Sequence, residues 1–142
     1  MGRFIADMAR SSASAGYPFE PGTVILGCGG ENAVAIGCSG SFGDGGPGQE
    51  ATLAAALVLA DQPVASLFMD TDGSDGGTDA AGGICDGKTA ARAIELGLDL
   101  RQDLLGHTSR EPLRQLGDLI DTGATGTNVN DLFVTVVGKE TI

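Results

Sequence analysis

Asp70-Thr-Asp72-Gly-Ser-Asp75-Gly-Gly-Thr-Asp79-Ala-Ala-Gly-Gly83 follows directly on the apolar run Val64–Met69. Pro63 on one side and the Gly/Asp cluster on the other bound that run as a strand. Farther along, Thr122-Gly-Ala-Thr-Gly-Thr-Asn128-Val-Asn130-Asp131 leads into a second apolar run, Leu132–Val137. Glycine and aspartate packed densely at strand ends mean sharply turned backbone and exposed carboxylates. These are the raw material of a ligand site on an α/β sheet.

Working outward, Phe4, Ile5 and Met8 fall at helical spacing, so Met1–Arg10 reads as a short amphipathic helix and Ser11–Gly22 as a linker. Val24–Cys28 and Ala33–Cys38 are short apolar runs split by Gly29-Gly30-Glu31-Asn32, the pattern of a β-hairpin. Ser39–Gly48 reads as a Gly-rich loop and Gln49–Ala60, rich in Ala and Leu, as a buried helix. Asp86 caps an expected helix to Leu96, with Gly97 as its stop. Asp99–Leu105 adds a short helix, and Thr108-Ser-Arg-Glu111 fits a capping box before a helix through Leu116. A hairpin together with long helical crossovers implies one α/β domain with a mixed β-sheet flanked by helices. Residues 1–22 form its opening helix and linker and residues 23–142 the α/β domain proper.

A chain of 142 residues, 42% apolar, suits a single domain with its own core. Aromatics are 4% and Trp is absent, so Ala, Val, Leu and Ile must build that core around 24 glycines. Net charge is -11, and between Ser11 and Gly87 ten acids stand without one Lys or Arg. A nucleic acid would meet no counter-charge over half the chain, which excludes that class of partner. No apolar stretch is long enough to span a membrane. Cys28, Cys38 and Cys85 form no C-x-x-C pair, and the single His107 completes no zinc set. Cys28 and Cys38 read as small buried residues, and an odd cysteine count without a secretory signal fits a reducing cytoplasm. His107 reads as a polar loop residue.

Two short motifs compete with turn chemistry. Gly82-Gly-Ile-Cys-Asp-Gly87-Lys88-Thr89 spells the phosphate-loop pattern, but the strand that should launch it ends near Met69, and Asp86 would place negative charge in the cradle. Phe68-Met-Asp70-Thr-Asp72-Gly-Ser74 looks like the D-x-D motif of haloacid dehalogenase-type phosphatases. On that alternative the chain is a small Mg²⁺-dependent phosphoryl-transfer enzyme or phosphatase centred on Asp70, Asp72 and Asp75, with Gly117-Asp118-Leu-Ile-Asp121 as a later acidic motif.

Gly29-Gly30-Glu31, Gly45-Gly46-x-x-Gln49-Glu50, the Thr71–Gly82 segment and the Thr122–Leu132 segment together resemble the MOFRL domain. That is the C-terminal domain of the glycerate 2-kinase family, often labelled hydroxypyruvate reductase. The resemblance implies a two-domain enzyme that phosphorylates glycerate from ATP with Mg²⁺ in the cleft between its domains. The larger domain, with its catalytic lysine, has no counterpart in this chain. Glu31, Gln49, Glu50, Asp72, Asp75, Asp79, Asn128, Asn130 and Asp131 match the family pattern. Pro47 and Gly48 stand where the family has Arg-Asn, so a cation that steadies phosphoryl charge is gone. Gly106-His-Thr-Ser109 likewise replaces an Asn-Asp-Ser-Tyr-like run.

Two expectations follow for the matching residues. Asp72, Asp75 and Asp79 ligate Mg²⁺, or shape a small-molecule pocket with Thr125 and Asn128 beside Glu31, Gln49, Glu50, Asn130 and Asp131; or the same residues only close turns, since Asx side chains bond nearby amides. The chain is expected to stand alone as an accessory, binding or oligomerising module, inactive as a kinase by itself. Its expected partner is a second copy or a separately encoded kinase-type domain, because an Ala/Val/Leu-rich face seeks cover.

Overall fold

The computed structural model describes residues 1–36 and 43–139. Helix α1 spans Gly2–Ala15 and ends at Gly16 in the left-handed region. Its Ile5, Ala6, Ala9 and Ala13 form a buried stripe at i, i+3 and i+4 spacing, so the helix runs one turn past Arg10 and belongs to the core. Helix α2, Pro47–Val58, places Pro47 in its first turn, where a missing N–H costs nothing. Short helices α3 (Thr89–Glu95), α4 (Leu100–Leu105) and α5 (Arg110–Leu116) follow. The short helix expected over Asp99–Leu105 is α4, and Asp99 caps it, accepting the amides of Arg101 and Gln102. The Thr108 capping box does not form: Thr108 Oγ1 bonds Asp103 instead, and α5 starts from Ser109 without a side-chain cap.

Five strands, β1 (Val24–Gly30), β2 (Val64–Asp70), β3 (Gly82–Asp86), β4 (Leu119–Ile120) and β5 (Asp131–Val137), form one sheet in the order β1-β5-β2-β3-β4. The α/β domain with a flanked sheet is as expected, but every pairing is antiparallel, not mixed. The expected hairpin is also absent: β1 does not turn back on Ala33–Ile36, which form no strand, and pairs across the chain with β5. The rest of the expected hairpin arm, Gly37 and Cys38, lies outside the described residues. β3 was hidden by its glycines. At Gly83 a Cβ would sit 2.9 Å from Leu113 and 3.0 Å from Thr52, so the strand is bare there because α2 and α5 press onto it.

The pleat sorts the sheet into two faces. Val64, Ser66 and Phe68 of β2 and Thr135 and Val137 of β5 are buried against α1 and α2, where Ser66 and Thr135 share a 2.9 Å hydroxyl bond. Alternate residues make the opposite face in three rows across four strands: Val24–Val136–Ala65–Asp86, Leu26–Val134–Leu67–Ile84 and Cys28–Leu132–Met69–Gly82. Leu26 is 66% exposed and Val24 59%. Cys28 belongs to this open face and is exposed, contrary to its apolar setting in sequence, because the helices take the other side. Among the described residues no helix is long and apolar enough to cross a membrane.

Candidate functional site

The loops singled out from the sequence gather at one end of the sheet, where β2 ends and β5 begins. Asp70 and Asp131 are register partners there. Burial, then the charges of Asp72 and Asp131, push the Asp70 carboxyl above the ordinary carboxylate range, against the backbone amides of Asp72 and Thr71. Asp131 accepts the Asn32 amide at 2.7 Å, which ties the chain leaving β1 to the same end. Glu31, one residue earlier, is exposed.

Three aspartates within eight residues take three separate partners. Asp75 is buried and accepts the amides of Gly48 (2.9 Å) and Gln49 (2.8 Å), the first turn of α2. It is therefore a cap delivered from a distant loop, a negative charge set at the positive end of a helix. Burial raises its carboxyl, while the two amides pull the other way. Gly46 is needed for this fit, since a Cβ there would fall 2.3 Å from the Asp75 carboxyl carbon. Asp72 accepts the Ser74 amide at 2.9 Å and the Asn128 Nδ2 at 3.1 Å. Asp79 pairs with Arg110, which also reaches Asp44 at 2.9 Å. Among the described residues no three His, Cys, Asp or Glu side chains group as a metal set, so the structure does not bring Asp72, Asp75 and Asp79 together.

The other matching residues stitch loops. Thr125 Oγ1 donates to the Thr71 carbonyl at 2.6 Å, and Thr71 Oγ1 donates to the Asn130 carbonyl at 2.8 Å. Asn128 Oδ1 accepts the Asn130 amide at 2.7 Å, while Asn130 itself is held at φ 66°. On the helix side Gln49 Nε2 donates to Thr78 Oγ1 at 2.9 Å. The 71–79 loop is thus bound on one flank to 125–130 and on the other to the start of α2.

Sequence reasoning missed the groups that cross this end from far away. His107 Nδ1 lies 2.8 Å from Glu50 Oε1, although no motif surrounds it. Arg110 reaches an acidic loop whose own neighbourhood in sequence has no base. With Gly43–Gly46, Gly76–Thr78 and Val34, the His107–Glu50 pair lines a cleft of about 360 Å³. A larger, open hollow of about 910 Å³ lies at the opposite end of the sheet between Pro63, Asp86, Lys88 and Lys139, and meets none of the residues that match the family pattern.

The phosphate-loop letters fall on no phosphate cradle. Gly82–Asp86 is strand β3, the Asp86 carboxylate takes the Lys88 amide, and Lys88 is exposed. Asp118, from the later acidic motif, is buried under a two-pronged Arg92 contact at 2.7 and 3.0 Å. It holds α3 to the chain after α5.

The spatial order of these loops matches a known arrangement. The MOFRL family model covers residues 24–131 of the chain. The chain belongs to the MOFRL family. A glycerate 2-kinase of Pyrococcus horikoshii is 45% identical over 136 residues, which are 96% of this chain and 30% of that protein. A D-glycerate 2-kinase of Thermotoga maritima is 41% identical over 138 residues, 96% of this chain and 32% of that protein. Among solved structures, the crystal structure of a Pyrococcus horikoshii protein superposes with a TM-score of 0.92 at 43% identity, covering 98% of this chain and 31% of that one. The crystal structure of glycerate kinase from Thermotoga maritima gives 0.89 at 39% identity, covering 96% and 32%. This MOFRL chain spans about a third of the length of the relatives it matches.

Proposed function

We propose that this MOFRL chain is the accessory portion of a glycerate 2-kinase-type enzyme and does not transfer phosphate by itself. The observation that carries this reading is Asp75 on the first turn of α2. A helix start is where a phosphate would find free amides, and here the Gly48 and Gln49 amides already serve a carboxylate. Asp44 and Glu50 add negative charge around the cleft, and Arg110 is engaged by Asp44 and Asp79. ATP and Mg²⁺ do not fit this residue set, since positioned cations do most of the work in phosphoryl transfer. They belong, on this reading, to the assembled enzyme, whose phosphate-handling groups lie in the portion that the relatives have beyond this chain.

What this chain supplies is a stiff, uncharged-to-acidic loop end. The 71–79 loop is pinned to 125–130 and to α2, so the Glu50–His107 cleft is presented without reordering. A polar cleft lined by Asp44 and Glu50 suits hydroxyl groups of a small substrate better than its phosphates.

The test is direct. The chain alone, incubated with ATP, Mg²⁺ and D-glycerate, should form no phosphoglycerate above the rate without protein. Mixed with a large domain cut from a glycerate 2-kinase, it should raise that domain's turnover, and His107→Ala should reduce the gain. Turnover by the chain alone refutes the reading, as does a large domain indifferent to its addition. Pro47→Arg alone should not confer activity, since it returns one cation to a site that lacks the rest.

A further inference from the structure

His107 is the single histidine of the chain, and it stands in a run that departs from the family's Asn-Asp-Ser-Tyr-like pattern. It lies between α4 and α5 at φ 53°, a backbone region that side chains other than glycine seldom adopt. Three bonds hold the turn there. The Thr108 amide donates to the Asp103 carbonyl at 2.9 Å, the Gly43 amide to the Gly106 carbonyl at 3.1 Å, and the Arg110 amide to the Asp44 carbonyl at 3.1 Å. The 43–46 segment is bare where it crosses this turn. A Cβ at Gly43 would run into the Thr108 methyl, and one at Gly45 into the Ser109 hydroxyl. An uncommon backbone conformation, fixed by its surroundings beside a cleft, is where a working side chain is to be sought.

His107 Nδ1 lies 2.8 Å from Glu50 Oε1, and the two side chains are only 22% and 17% exposed. A carboxylate can only accept, so in the neutral ring Nδ1 carries the proton and Nε2 keeps its lone pair. Nε2 takes no hydrogen-bond partner among the described residues.

We infer that His107, oriented by Glu50, is the proton acceptor for the hydroxyl of a small hydroxy acid that enters the cleft of about 360 Å³. The role rests on the accessory reading for its phosphoryl donor, a nucleoside triphosphate held by the large domain. Charge decides which end of the substrate enters. Asp44 and Glu50 line the cleft and, among the described residues, no Lys or Arg does, so a carboxylate is turned outward and a hydroxyl goes in. In the step the hydroxyl O–H bond breaks, and its oxygen bonds to the terminal phosphorus. The bond from that phosphorus to its bridging oxygen breaks, and the nucleoside diphosphate leaves with the electron pair. The proton passes to Nε2 and from there to water, while Glu50 steadies the imidazolium.

A single histidine makes the test specific. Nitrogen NMR of the ¹⁵N-labelled chain at about pH 9, above the ordinary imidazole range, should show Nδ1 protonated and Nε2 bare. Glu50→Leu should lose that preference. A parent ring with its proton on Nε2 overturns the proposal. In a mixture with a glycerate 2-kinase large domain, D-glycerate, ATP and Mg²⁺, His107→Gly should lower kcat about 100-fold and move KM for D-glycerate less than about threefold. Glycine suits φ 53°, so this variant keeps the turn. Added imidazole should restore turnover to His107→Gly in proportion to its concentration and leave the parent unchanged. Undiminished kcat in His107→Gly, or a loss that imidazole does not restore, overturns the assignment. A parent mixture without turnover refutes the accessory reading instead, and the ring-nitrogen tautomer then upholds or overturns this one.

Discussion

The carboxylate of Asp75 accepts the backbone amide of Gln49 at 2.8 Å, across 26 residues of sequence. With the Gly48 amide at 2.9 Å it satisfies two of the donors that every helix start leaves open. An acid in a Gly-rich turn is thereby a structural part of a helix that follows Pro47. Asp75→Ala removes the cap and leaves both amides buried without partners. The expected loss is about 2–4 kcal/mol in urea unfolding at neutral pH. Asp75→Asn keeps one acceptor and should lose clearly less. Equal stability of Asp75→Ala and the parent would remove the capping role.

Acidity should act on the same residue with a definite sign. Asp75, Asp70 and Asp118 are all raised above 3.8, in each case first by burial. A carboxyl raised in the folded state binds its proton more tightly there than in the unfolded chain. Its stabilising contribution is complete below 3.8 and is lost as pH rises through the higher native values. Glu111 runs the opposite way: its bond to Arg114 holds it at about 2, and its contribution goes as pH falls below 4.5. That pair is fully exposed, so the buried carboxyls dominate. The melting temperature should therefore fall as pH rises from 3.8 toward neutrality, and Asp75→Asn should flatten the slope. A rise over that interval would contradict the assignment.

Arg92 and Asp118 give a second, independent test. Asp118 is 6% exposed and Arg92 grips it with both terminal nitrogens while also reaching the Leu116 carbonyl. Arg92→Met leaves a buried carboxylate unpaired. Because Arg92 itself is partly exposed, the expected cost is about 1–3 kcal/mol, below the range for a fully buried pair. Acidification should return part of it, and Arg92→Met combined with Asp118→Leu should recover more. A double substitution no better than Arg92→Met would show that the pairing is not the source of the loss.

Divalent cations are expected to add nothing beyond screening. Asp72, Asp75 and Asp79 are held by Ser74 and Asn128, by α2 and by Arg110 respectively. Their mutual repulsion, which would call for Mg²⁺ or Ca²⁺ in a bare loop, is already relieved. Millimolar Mg²⁺ should raise the melting temperature no further than NaCl of matched ionic strength. A divalent-specific increment that Asp75→Asn abolishes would restore the loop as a metal site.

Much of the fold could be read locally. Val64–Met69 and Leu132–Val137 announce strands by composition, and the short helix read over Asp99–Leu105 is α4. β3 could not be read, because Gly82 and Gly83 spell a turn and become strand only where α2 and α5 demand a bare surface. The antiparallel order was equally hidden. Val24–Gly30 carries an ordinary strand pattern, and nothing local says that its partner begins at Asp131. In the candidate site the family motifs drew attention to the right loops, yet His107 and Arg110 stand alone in sequence and acquire roles only through Glu50, Asp44 and Asp79.

By itself the sequence determined the family, the two central strands Val64–Asp70 and Asp131–Val137, and the longer helices. These rest on residue spacing and on backbone preferences, which act over a few neighbours. Only the tertiary structure decided which aspartate caps a helix, which pairs with arginine and which bonds a neighbouring loop. Those outcomes depend on closing loops of tens of residues, and the strength of a carboxylate's bond is set by the donor that closure brings to it and by the water that burial removes.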